Sequence, residues 1–418
     1  MKPSVSARGR AMPASPIRKL MPVADAAKRR GVHVYHLNIG QPDLPTPEAL
    51  RSKLAKVDDV IAYSPSGGTV EFLAALSSYY RALGLELGPA ELVTTTGGSE
   101  AILFAFFATT AEGDEALVCE PYYTNYNSYA TMAGIRLVPL TTRGEDGFHL
   151  PPREAWERAR TARTRLVLLC NPNNPTGTVY RRDELEMVAE FCRDHGLFLV
   201  SDEVYRELAY DGLEAISALS LPGCEDHVIL VDSLSKRFSA CGIRLGCLAT
   251  RNPEVHQAAL RMAQGRLSPP GLAQLMATGI SELGPDYYAG IAAEYQKRRD
   301  VLFAGLTRIP GLFLRKPEGA FYFVARLPVD DAEEFARFLL AEFSYDGATV
   351  MVAPAAGFYA TPGLGRDEVR IAYVLKCEDL ERAVEVFAAG LAAYRKARGL
   401  EGGLAVARPA LDERSPVV

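Results

Sequence analysis

The sequence predicts an α/β protein: a mostly parallel sheet between two layers of helices, a three-layer sandwich, followed by a smaller α+β part. Three observations carry this. Between about residues 91 and 231, short apolar runs alternate with amphipathic helical stretches. Runs such as Arg165-Leu166-Val167-Leu168-Leu169-Cys170 are apolar almost throughout, as strands buried on both faces are. From residue 311 onward, strands and helices mix at higher density. The 418 residues suffice for two domains, or for one large domain with a smaller companion.

Composition excludes several function classes. With 48% hydrophobic residues, 23% charged residues and a net charge of -5, the chain reads as an ordinary soluble protein. No dense basic run marks a nucleic-acid footprint. No window reaches the roughly 18 to 20 apolar residues of a membrane span. Residues 1–10 lack the apolar core of a signal peptide. The 7 cysteines form no Cys-x-x-Cys pair and the 6 histidines show no ligand spacing. Reduced cytoplasmic thiols are expected, with neither a disulfide frame nor a metal site.

In chain order, residues 1–20 are rich in Pro, Ser and Arg and lack periodicity, which suggests an arm that packs elsewhere or stays mobile. Residues 21–30 read as a helix with Val23, Ala26 and Ala27 on one face. A strand over 34–37 runs into Asn38-Ile39-Gly40-Gln41-Pro42-Asp43, equally readable as a connector or a binding loop. A Gly/Pro turn over 61–68 contains Tyr63 and leads to a helix over 69–83. Strand 91–95 ends in Thr96-Gly97-Gly98-Ser99-Glu100, before a helix over 101–109. Free N–H groups and the dipole at such a helix start favour a phosphate, although a plain helix start is the commoner meaning.

Strands follow over 116–119, 136–140, 165–170, 197–200 and 227–231, with helices over 123–133 and 182–195. Further helices are expected over 254–265, 271–283, 286–307, 332–343 and 378–397. The third of these is long and charged, able to bridge two domains. Late strands fall over 312–314, 321–324, 349–352 and 369–372, and residues 399–418 read as a loose tail.

Ligands of open parallel sheets sit at the carboxyl ends of the strands. The turns after Thr95, Glu120, Cys170, Val200 and Val231 all point there. Lys236, in Ser233-Leu234-Ser235-Lys236, hangs at one strand end. A lysine partly withdrawn from water releases its proton more easily and can attack a carbonyl. Arg244, Ser233 and Ser235 can hold a dianion beside it. The pairing suits pyridoxal 5'-phosphate, an aldehyde that carries a phosphate. Asp202 would face the ring nitrogen, and Tyr205 and Asn174 would donate to the ring phenolate. Tyr123 offers a flat face, while Gly98, Ser99 and Glu100 stand at the phosphate-binding helix start. Arg370, among apolar neighbours, would grip a carboxylate; a structural salt bridge is the competing role.

Five motifs stand in order: Asn174-Pro175-Thr176-Gly177, Ser201-Asp202-Glu203-Val204-Tyr205, Ser233-Leu234-Ser235-Lys236, Arg244, and Val369-Arg370-Ile371-Ala372. Over roughly residues 15–395 the chain resembles the class I/II (fold type I) pyridoxal-phosphate-dependent aminotransferases, of the aspartate/aromatic type. The resemblance implies a seven-stranded large domain, a small domain built from both chain ends, and a homodimer with shared active sites. It implies boundaries at 1–45 (arm and part of the small domain), 46–299 (large, cofactor-binding), 300–398 (small) and 399–418 (tail). Tyr63 would reach the partner subunit's phosphate. The Asn38-Ile39-Gly40 loop would close over the substrate, with Gly40 near its carboxylate, and Tyr123 would stack on the ring.

The implied reaction moves an amino group between an L-amino acid and a 2-oxo acid, in ping-pong fashion, through a Schiff base on Lys236, which also moves the Cα proton. A lyase or an oxidase on the same scaffold is the alternative. A cofactor sensor fused to a DNA-binding module finds no room before residue 15. Substrate choice is less legible. Some aspartate-using relatives carry a lysine where Ser99 stands here. Arg266 is a candidate for an acidic side chain. Tyr122, Tyr126, Phe358 and Tyr359 could line an apolar pocket, although core packing is their commoner role.

Overall fold

The computed structural model describes residues 3–400. Its largest sheet has seven strands in the order Leu92–Thr95, Gly246–Thr250, Val228–Ser233, Phe198–Asp202, Thr164–Cys170, Glu115–Glu120, Arg136–Thr141. All run parallel except Gly246–Thr250, which is antiparallel to both its neighbours. The apolar strands serve two cores at once. Val167 and Leu169 point into one cluster, Leu166 and Leu168 into the other, as the two-residue period of a strand requires. Helices Gly97–Thr109, Asn125–Ala133 and Pro253–Arg266 cover one face; Val70–Ala82 and Arg182–His195 cover the other.

Register decides what meets at the carboxyl edge. Asp202 pairs with Cys170 on one side and Val231 on the other. Ser233 and Thr95 both lie opposite Gly246. The turns carrying Asn174, Lys236 and the Gly97-Gly98 helix start therefore open on one edge, as parallel strand ends should.

Strand Gly246–Thr250 was not foreseen; it begins two residues after Arg244, and its Gly-Cys-Leu-Ala-Thr sequence carries little β preference. The helix expected from 101 begins at Gly97, so the glycine turn is its first turn. The Glu100 carboxylate accepts the Thr96 N–H at 2.7 Å, which draws the start back. The helix expected from 123 begins at Asn125, and the arm holds a short helix, Ala7–Ala11.

Beyond this sheet, His33–His36 pairs in parallel with Ala348–Met351. A four-stranded antiparallel sheet follows the order Ala353–Pro354, Glu368–Ala372, Tyr322–Arg326, Phe313–Leu314. Helices Met21–Arg29, Ala332–Ala341 and Cys377–Ala397 pack on a third large cluster. The long helix Pro285–Leu306 spans both regions: Tyr287 and Tyr288 touch a large-sheet core, while Tyr295, Leu302 and Leu306 belong to the other. Leu400 packs on that same core, and the rest of the expected tail lies outside the described residues. Among the described residues, no helix is long and apolar enough to cross a membrane, and no three His, Cys, Asp or Glu side chains cluster as metal ligands.

Candidate active site

A cavity of about 610 Å³ opens at the carboxyl edge of the large sheet. One end is built for an anion. Helix Gly97–Thr109 starts there with no side-chain cap on its free N–H groups. Arg244 lies across this start: a Cβ on Gly97, whose φ is +73°, would come within 2.7 Å of Arg244 Nη2. Only glycine fits there. Arg244 donates to the Cys241 carbonyl at 3.0 Å and has no carboxylate partner among the described residues. Ser233 donates to the Ser235 hydroxyl at 2.8 Å, and Ser99 accepts from the Tyr129 hydroxyl at 2.8 Å.

Lys236 projects into the middle of the cavity, where its Nζ donates to the Gly40 carbonyl at 3.0 Å. Asp202 is 5% exposed. Burial pushes its carboxyl up to about 6, against the pull of the Tyr126 hydroxyl at 2.7 Å and the Val204 N–H at 3.4 Å. No cationic side chain pairs with it among the described residues. A buried carboxylate without a cation is costly, so the site is built for a positive group. The Tyr205 hydroxyl accepts from Asn174 Nδ2 at 3.3 Å and donates to Tyr322 at 3.4 Å; burial pushes it well up. Tyr123 lines the cavity, its hydroxyl held by Asn125 at 2.8 Å.

Arg370 is 1% exposed and has no carboxylate partner among the described residues. It donates to Asn174 Oδ1 at 3.1 Å and to the Asn38 carbonyl at 2.6 Å, and its Nε is buried with no acceptor. Its guanidinium lies 4.3 Å from the Tyr322 ring centroid and 5.0 Å from that of Phe358. A desolvated guanidinium with a spare donor and no carboxylate beside it is suited to receive an anion. The Asn38-Ile39-Gly40 loop thus meets both Arg370 and Lys236, and Ile39 and Gly40 line the cavity. Gly40 has no room for a side chain: a Cβ would sit 1.6 Å from Tyr322 Oη. The Phe358 segment is tied to the large sheet by Glu120, whose carboxylate accepts the Ala360 and Thr361 N–H groups at 2.7 and 3.0 Å.

Some expected residues stand elsewhere. Glu100 turns from the cavity to pair with Arg266 at 2.8 Å, which removes Arg266 as a reader of acidic substrates. Tyr63 is 83% exposed and outside this cavity. Tyr122, Tyr126, Phe358 and Tyr359 do not line it: Tyr126 holds Asp202, Phe358 covers Arg370, and Tyr359 donates to Glu368 at 2.6 Å. Sequence reasoning missed Tyr322, hidden in an apolar strand, and Tyr129 and Arg18, which also line the cavity. It also missed the layer beneath Lys236. There Arg237, 1% exposed, makes two bonds to Asp232 at 2.8 and 2.6 Å, and Asp232 accepts from Tyr80 at 2.8 Å.

The Gly97–Arg244 cradle, the uncompensated Asp202 carboxyl and the half-buried Lys236 amine fit the phosphate, ring nitrogen and aldehyde of pyridoxal phosphate. Such a set, at the carboxyl edge of a mostly parallel sheet, defines a cofactor-dependent enzyme of the α/β class. The chain belongs to the aminotransferase class I and II family, which residues 32–387 match.

The probable aspartate/prephenate aminotransferase of Thermus aquaticus is 34% identical over 373 residues, covering 87% of this chain and 93% of that protein. The solved aspartate aminotransferase from Thermus thermophilus with maleate superposes with a TM-score of 0.83 at 32% identity, covering 93% of this chain and 100% of that one. An alanine aminotransferase from Pyrococcus furiosus gives 0.85 at 29%, with coverages of 93% and 100%. The protein is thus a pyridoxal-phosphate-dependent aminotransferase that moves an amino group between an amino acid and a 2-oxo acid.

Proposed function

We propose that Lys236, Asp202 and Tyr205 carry this transfer, and that Arg370, Asn174 and Gly40 hold the substrate's α-carboxylate end. The supporting observation is that the Lys236 amine shares one cavity with Asp202, Arg244 and Arg370. Pyridoxal phosphate, when bound, supplies an aldehyde for the amine and a ring that draws electrons from the substrate Cα. Arg244, Ser233, Ser235 and the N–H groups of Gly98 and Ser99 hold its phosphate. Asp202 holds the ring nitrogen, kept in place by Tyr126. Tyr205 and Asn174 donate to the ring oxygen, and Tyr123 covers a face. Arg370 fixes the carboxylate, which sets the Cα–H within reach of Lys236 Nζ. That amine would take the proton, and the Gly40 carbonyl keeps it aimed. The two half-reactions alternate at one site, so ping-pong kinetics are expected.

The same proposal makes the enzyme a homodimer, with Tyr63 reaching the partner's phosphate site. Val60, Ile61 and Tyr63 are 76%, 64% and 83% exposed. The Ser64 hydroxyl, bonded to the Pro269 carbonyl at 3.2 Å, brings exposed Leu267 and Leu272 alongside. An apolar face of this kind calls for a partner. The strand pairing of 33–36 with 348–351 supports a small domain built from both chain ends, with 1–45 joining 300–398. Seven unpaired thiols support a cytoplasmic site of action. The relatives' names favour aspartate and related dicarboxylic donors.

Lys236→Ala tests the assignment. Transamination should fall by more than about a thousandfold, and the absorbance of the lysine-bound cofactor should vanish while the fold persists. An alanine variant that still turns over refutes it.

A further inference from the structure

Helix Asn125–Ala133 and the turn before it carry tyrosines at three-residue intervals, Tyr123, Tyr126 and Tyr129. Such a spacing sets side chains on one face of a helix. Two of the three already have parts in the site: Tyr123 lines the cavity and Tyr126 holds Asp202. Tyr129 has none. It lines the same cavity, is 6% exposed, and donates to the Ser99 hydroxyl at 2.8 Å.

The direction of that bond matters. Between two hydroxyls, the phenol is the stronger acid and the better donor, and the serine oxygen the better acceptor. Burial pushes the Tyr129 hydroxyl up, against the pull of Ser99, Asn125 and Arg244, so it keeps its proton and can donate. The Ser99 oxygen is thereby engaged, while its own proton has no acceptor among the described residues. Ser99 stands in the first turn of helix Gly97–Thr109, where free N–H groups and Arg244 form the anion end of the cavity. The bond from Tyr129 fixes the Ser99 oxygen and leaves its proton for the anion. A donor that itself accepts a hydrogen bond is strengthened by it.

We infer that Tyr129 is a positioning residue for the cofactor phosphate: it holds the Ser99 hydroxyl so that the Ser99 proton is donated to the phosphate. The inference rests on the phosphate end proposed above. One helix then serves both ends of the cofactor, with Tyr126 behind the carboxylate at the ring nitrogen and Tyr129 behind the hydroxyl at the phosphate. The competing role for Tyr129 is packing, since it also belongs to the apolar core on that face of the sheet. Packing would support the cavity as a whole, whereas the relay through Ser99 acts on the phosphate alone.

The test titrates the full chain, freed of cofactor, with pyridoxal 5'-phosphate and with pyridoxal, which lacks the phosphate. Wild type, Tyr129→Phe, Ser99→Ala and the double variant are compared. Tyr129→Phe should weaken pyridoxal phosphate by about 3- to 10-fold and leave pyridoxal unchanged, and Ser99→Ala should do at least as much. The double variant should bind no more weakly than Ser99→Ala, because Tyr129 acts through Ser99. In the loaded protein, the phosphorus NMR resonance of the cofactor should move in Tyr129→Phe. An unchanged affinity for pyridoxal phosphate, equal losses for both ligands, or losses that add in the double variant overturn the relay. A wild type that binds pyridoxal as tightly as pyridoxal phosphate would instead overturn the phosphate end itself.

Discussion

Asp202 shows how one residue ties cofactor, stability and pH together. Its folded pKa of about 6 lies above the ordinary 3.8, so between these values the folded protein holds more proton than the unfolded chain. Without cofactor, stability therefore falls as pH rises through that window, by about 3 kcal/mol in all. Asp202→Asn has no charge to bury. In cofactor-free protein, urea unfolding should show the variant gaining on wild type from pH 4 to pH 7, by up to that amount. Added pyridoxal phosphate should reverse the order at pH 7, because the carboxylate then has its cation. A constant gap across pH would show that burial does not disfavour the charge. The sequence revealed that a carboxylate stands at this strand end. It did not reveal the Tyr126 hydroxyl beneath it, because a tyrosine on a helix next to an apolar strand reads as packing.

At the scale of the element, the turn bearing Lys236 is set by what lies under it. Burial pushes the Asp232 carboxyl up, but Arg237, Arg206 and the Tyr80 hydroxyl outweigh this and hold it below the ordinary range. Arg206 in turn pairs with buried Glu203, which accepts from Ser201, Ser217 and the Ala218 N–H at 2.9 to 3.1 Å. Arg237→Met leaves Asp232 buried and unpaired, and should cost about 3 to 5 kcal/mol in chemical denaturation. Asp232→Asn with Arg237→Met should recover part of that; additive losses would mean the two groups are not coupled. These partners are five residues apart in a turn, a spacing that no helix or strand period picks out. Strand Gly246–Thr250 escaped for a related reason, since its glycine and alanine, directly after a loop, carry little β signal. The long Val/Leu strands were legible because burial on both faces leaves little choice of residue.

For the whole molecule, the proposed homodimer places the exposed apolar face around Val60 and Ile61 at its interface. Val60→Asp with Ile61→Asp should shift sedimentation from twice the 45.4 kDa chain to the single chain, with loss of cofactor affinity as Tyr63 is withdrawn from the partner. A variant that still sediments as a dimer would place the interface elsewhere. Sequence could name Tyr63 through resemblance alone; nothing in its neighbours distinguishes an exposed tyrosine from one awaiting another subunit. Glu100 shows the converse. Its position at the helix start is right for a phosphate site, but an arginine 166 residues away turns its carboxylate aside.

The bonds that close the cavity span great lengths of chain: 196 residues separate Lys236 from Gly40, and 332 separate Arg370 from Asn38. During synthesis the phosphate cradle and the lysine turn emerge well before Arg370 does. A nascent chain can therefore settle its large sheet before Arg370 exists. On the role proposed for Arg370, the capacity to recognise an amino acid comes late to this polypeptide, and a chain cut short before that residue would lack it altogether.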